Sequence, residues 1–104
     1  MQVQFNADKT IDGHERMQVY FSEVIAESFK RFEDKITRVE VHVGDENNDK
    51  FGVDDKRCMI EVRLSGKNPL AVTHHADTIE KAISGATDKM KKVLTTTFEK
   101  LKTH

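Results

Sequence analysis

At 104 residues, with 37% apolar and 34% charged side chains and a formal net charge of -1, the chain is sized for one modest core. It lacks the overall basicity of a dedicated nucleic-acid binder. No apolar run approaches the roughly 18 residues of a membrane span, MQVQFNADKT lacks the apolar stretch of a signal peptide, and the single cysteine forbids an internal disulfide. The expectation is one cytoplasmic domain over residues 1–104, with no cofactor.

Gln2 to Asn6 alternates, Val3 and Phe5 on one side and Gln2 and Gln4 on the other, which predicts a short half-buried strand. Asp12, with Glu15 three residues on, opens a helix predicted to run from His14 to about Glu33. Its buried stripe is read as Met17, Phe21, Val24, Ser28 and Phe32, widened by Tyr20, Ile25 and Phe29. Ile36 to Val43 alternates again, with Val39, Val41 and Val43 inward. Gly44 to Lys56 is polar and carries Asn47, Asn48 and Gly52, so it reads as a mobile loop. Arg57 to Leu64 is a third strand, with Cys58, Ile60, Val62 and Leu64 inward. After the turn Ser65 to Pro69, a fourth strand places Leu70 and Val72 inward. Asp77 is read as the cap of a last helix, with Glu80 completing a capping box. Its apolar stripe is Ile79, Ala82, Ile83, Ala86, Met90, Val93, Leu94, Thr97 and Leu101.

The order is β-α-β-β-β-α. A helical crossover makes the first two strands parallel neighbours, and helix-free connections make strands two to four an antiparallel meander. Arg38, Glu40, His42, Glu61, Arg63, Thr73 and His75 all fall on the other sheet face, so both helices must cover the apolar one. The fold class is α+β: a two-layer sandwich with a four-stranded mixed sheet.

Charge is unevenly placed. From Gly44 to Lys56 five acids oppose two lysines, net -3; from Lys89 to His104 five lysines oppose Glu99, net +4. At 100° per residue Lys81, Lys89, Lys92 and Lys100 share a sector of roughly 100° on one flank of the last helix, in a row about 28 Å long, with Gly85 and Thr96 between them. Such a row is able to track phosphates of a folded RNA. It is also what a solvated helix face with cations near its C-terminus looks like, and spacing alone favours that plainer reading.

No catalytic or metal site emerges. Adjacent His74 and His75 point to opposite faces of a strand, which prevents joint chelation. Cys58 falls on the inward side. Ser22, Ser28, Ser65 and Ser84 lack a nucleophile elbow, and GxGxxG, GxxxxGK[ST] and HExxH are absent. The central strands carry no outward aromatic on which bases stack, so any RNA must be held by shape and backbone charge. We expect no enzyme, no metal and no small-molecule substrate.

The element order, the strand ITRVEVHV (Ile36 to Val43) and the stretch DTIEKAISGATDKMKK (Asp77 to Lys92) resemble the ribosome hibernation-promoting factor, or ribosome-associated inhibitor (sigma-54 modulation), family in its short form. The resemblance covers essentially the whole chain. It implies a domain akin to a double-stranded-RNA-binding fold, seated on the small ribosomal subunit between head and body, where occupancy alone blocks translation. Family basic positions fall on Lys89 and Lys92, the next turn falls on the uncharged Thr96, and Lys30 and Arg31 lie near a further basic region. The long form's dimerisation domain has no counterpart before His104, which implies no ribosome dimerisation by this chain alone. The chain departs from the family in its net charge of -1 and its acidic loop, which predict weaker or differently placed binding.

The favoured expectation is a non-enzymatic translation regulator that contacts small-subunit ribosomal RNA through Lys81, Lys89, Lys92, Lys100, Lys30 and Arg31. The alternative is a protein-interaction or stress module using the acidic loop or the polar sheet face.

Overall fold

A computed structural model describes residues 1–8, 14–45 and 56–102, with the backbone alone for His14 and residues 100–102. Strand β1 (Gln2–Ala7) leads to helix α1 (His14–Ser28), a 3-10 turn (Lys30–Phe32), strands β2 (Ile36–Asp45), β3 (Lys56–Leu64) and β4 (Leu70–Ala76), and helix α2 (Ile79–Lys102). The sheet order is β1-β2-β3-β4, with β1 parallel to β2 and the other pairs antiparallel. This is the two-layer α+β arrangement that the alternation predicts.

Register turns the alternation of single strands into continuous rungs. Phe5 lies beside Val41, Val41 beside Ile60 and Ile60 beside Val72; Val3, Val39, Val62 and Leu70 form a second rung. A third runs from Ala7 through Val43 and Cys58 to His74. Val39, Val41, Ile60, Val62 and Cys58 are fully buried. Each such aliphatic side chain contributes about 1.5–3 kcal/mol relative to exposure.

Helix α2 covers the β3 and β4 side of this face. It buries Ile79, Ala82, Ile83, Ala86, Thr87, Met90, Leu94 and Phe98. Thr87 is tolerated there because its hydroxyl donates to the Ile83 carbonyl at 2.7 Å. Phe98 takes the core position expected of Thr97 and stacks on Phe32, ring centroids 5.6 Å apart. The helix cap is Thr78, one residue later than expected: its Oγ1 accepts from the Lys81 N–H at 3.2 Å.

Helix α1 is shorter than expected. It ends at Ser28, whose hydroxyl turns back to the Val24 carbonyl, and the chain tightens into the 3-10 turn that buries Phe32. Ile25 and Phe29 are fully buried, but Tyr20 is 61% and Val24 38% exposed, so these two stand outside the stripe assigned to them. The helix lies over β1 at the sheet's margin, which offers cover to only one narrow side.

The strands flanking the expected loop reach into both of its ends. Gly44, Asp45 and Lys56 are strand residues, and Lys56 pairs with Asp45 at 3.2 Å across β2 and β3. Residues 46–55, which make up most of the expected acidic loop, and Asp12, the cap expected for α1, lie outside the described residues.

Two substitutions test the packing. A Cβ on Gly85 would collide with the imidazole of His74, the polar end of the third rung, so α2 approaches β4 closely only because Gly85 has none. Gly85→Ala should therefore cost about 1–3 kcal/mol in urea denaturation, despite alanine's better helix propensity, and markedly less in a His74→Ala background. Burial pushes the Cys58 thiol from 9.0 up to about 12, against a smaller downward pull from Arg57. Between those values the unfolded chain binds fewer protons than the folded one, so stability falls as pH rises from about 9 towards 12 and is untouched below. Cys58→Ala should remove that part of the alkaline loss, seen as a smaller drop in denaturation midpoint than in the parent.

Candidate nucleic-acid interface

Helix α2 carries Lys81, Lys89 and Lys92 outside its buried stripe, and Lys89 reaches over to β4. Lys81, Lys89 and Lys92 are all exposed, as the periodicity requires, while the side chain of Lys100 lies outside those described. Their surroundings differ. Lys81 Nζ stands 3.3 Å from Asp77 Oδ1, with both groups about half exposed or more, so the pair adds little stability but sets a carboxylate against the charge that Lys81 offers. Lys89 Nζ donates to the Thr73 carbonyl at 2.9 Å. That carbonyl lies on the free edge of β4, so Lys89 blunts an open strand edge and keeps two further N–H donors turned outward. Lys92 forms no ion pair among the described residues, and neither does Asp88 one turn before it.

A second cationic group forms at the other end of α2. Arg31, in the 3-10 turn, reaches Glu99 Oε1 at 3.3 Å and lies over the Phe32 ring, 5.0 Å from its centroid. Lys30 beside it is exposed. Lys35, absent from the expected set, places its ammonium 5.3 Å from the centroid of Phe98. Nothing in its local sequence marks it; the stacking of Phe98 on Phe32 brings it there. Glu99 shares the helix face of Lys81 and Lys92, so a carboxylate interrupts the row before Lys100. The expected ladder is thus two clusters, one along β4 and one around the 3-10 turn, each with one cation neutralised.

The opposite sheet face closes its charges on itself. Register sets Glu40 beside Glu61 and Arg38 beside Arg63, like against like. The side chains resolve this along the diagonal: Arg63 Nε donates to Glu40 Oε2 at 3.3 Å, and Arg63 Nη2 meets Glu61 Oε1 at 3.3 Å. Arg38 Nε is 3.7 Å from the same Glu40 oxygen, and its Nη2 donates to Gln4 Oε1. His42 Nε2 lies 3.9 Å from Glu40 Oε1. Among the described residues this face carries no Phe, Tyr or Trp on which bases stack, and no three His, Cys, Asp or Glu gather to hold a metal ion. No helix among them is long and apolar enough to cross a membrane.

The comparisons with known proteins bear on the same arrangement. A ribosomal subunit interface protein from Coxiella burnetii has a similar structure, with a TM-score of 0.67 at 15% identity, covering 95% of this chain and 99% of that one. The N-terminal domain of Protein Y from Thermus thermophilus gives a TM-score of 0.68 at 18% identity, covering 88% of this chain and 93% of that one. No curated protein matches the chain in sequence. The sequence profile of the Sigma 54 modulation protein / S30EA ribosomal protein family, however, matches residues 6–102. With nearly its whole length matched and the fold of those two structures, the chain belongs to this family of ribosome-associated modulation proteins.

Proposed function

We propose that the chain regulates translation in the cytoplasm by occupying the small ribosomal subunit. Lys81, Lys89, Lys92 and Lys100, with Lys30 and Arg31, neutralise phosphates of ribosomal RNA, and no chemistry is performed. The observation that carries this reading is the exposed pair Lys89 and Lys92, neither of which forms an ion pair among the described residues, in a chain whose family is ribosome-associated. The sheet face is the weaker docking surface, since Glu40 and Glu61 are already engaged by Arg38 and Arg63. Backbone-charge binding carries a distinctive salt dependence, because each neutralised phosphate releases a counterion.

Co-sedimentation with purified small subunits over a range of salt tests the proposal. The parent should associate at low salt and dissociate as salt rises; no association even at the lowest salt would remove the reading. Lys89→Glu with Lys92→Glu should weaken association and flatten the log–log salt slope by roughly 0.7–0.9 for each phosphate left without its lysine. Asp77→Asn, which frees Lys81, should strengthen association and steepen the slope.

A further inference from the structure

The two helices leave a groove between them, about 330 Å³ in volume, on the side of α2 that meets α1. Tyr20, Phe21 and Val24 of α1 and Ile83 of α2 give it an apolar floor, and Tyr20 stands edge-on to Phe21 with centroids 4.9 Å apart. Its volume is at the low end of ligand sites, roughly 300–1,000 Å³. Two hydroxyls in its wall are already spent: Ser28 donates to the Val24 carbonyl and Thr87 to the Ile83 carbonyl. The floor therefore suits apolar side chains better than a polar small molecule.

The rim is anionic. Glu80 and Asp88 line it from α2, and Glu23 and Glu27 border the shelf beside Tyr20 and Val24. None of the four forms an ion pair among the described residues, whereas Glu40, Glu61, Asp77 and Glu99 all do. No Lys or Arg lines the groove or the shelf; Arg16 and Lys91 stand a turn beyond Tyr20 and Thr87. A polyanion is repelled there, and a second copy docked face to face would set carboxylate against carboxylate.

We infer that this groove docks a lysine- or arginine-rich segment of a partner protein, with bulky apolar side chains seated on Tyr20, Val24 and Ile83 and its cations paired with Glu23, Glu27, Glu80 and Asp88. The inference does not rest on the lysine row: it assigns the other flank of α2 to a protein rather than to RNA. Apolar anchors in the groove supply the affinity, and the anionic rim selects the sign of the partner's charge.

Tyr20 is the only tyrosine in a chain without tryptophan, so its emission reports on the groove directly. Titrating the full chain with a short synthetic Lys/Leu peptide should change Tyr20 emission saturably. A Glu/Leu peptide and a Lys/Ser peptide should leave it unchanged. Glu23→Lys with Glu27→Lys, at exposed helix positions, should weaken the Lys/Leu peptide about tenfold or more while far-UV circular dichroism is retained. Val24→Ala should weaken it with the rim intact, and Lys89→Glu with Lys92→Glu should leave it unaffected, separating this result from ribosome binding. Tyr20 emission indifferent to the Lys/Leu peptide, or equally responsive to the Lys/Ser peptide, would overturn the inference. So would a peptide-independent dimer in sedimentation that Val24→Ala dissolves, because the occupant would then be a second copy.

Discussion

The close seating of α2 on the sheet is the constraint from which the rest follows. Ala82, Ala86 and Gly85 keep the helix backbone low over β3 and β4, and His74 fits against the glycine where any side chain would collide. Seated there, α2 has two flanks with different neighbours. On one side Lys89 reaches over to β4; on the other Glu80 and Asp88 line the groove towards α1. A single amphipathic helix thereby exposes Lys89 and Lys92 with no ion pair among the described residues while Asp77 and Glu99 engage Lys81 and Arg31, so a chain with net charge -1 still offers local cationic clusters.

The strands were legible because their alternation is strict and their register follows from it: three valines of β2 meet Val62, Ile60 and Cys58 of β3 in the order that period two demands. The first helix was less so. Its apolar residues run most of the way round, through Val19, Tyr20 and Val24, and periodicity alone does not tell which of them the sheet's margin leaves uncovered. Phe98 was lost behind Thr95, Thr96 and Thr97, although it follows Met90 and Leu94 at helical spacing. At the start of α2, Asp77 and Thr78 are both good caps, and only the backbone geometry decides for Thr78.

Of the candidate site, the lysine flank was readable from angles around a helix; its partners were not. That Asp77 holds Lys81, or that Arg31 crosses to Glu99 sixty-eight residues away, depends on tertiary placement of the 3-10 turn against the end of α2. The groove escaped for a related reason. Its floor was assigned to the core of α1, and its rim is split between two helices distant in sequence. Neither half carries a motif.

The bond from Lys89 to the Thr73 carbonyl gives one ammonium two masters. While it rests on β4 it denies neighbouring chains a foothold on that margin of the sheet. When drawn towards a phosphate, it leaves the margin bare. If the proposed binding draws it there, attachment would come at the expense of self-protection, and the molecule would be safest from recruiting stray strands when idle.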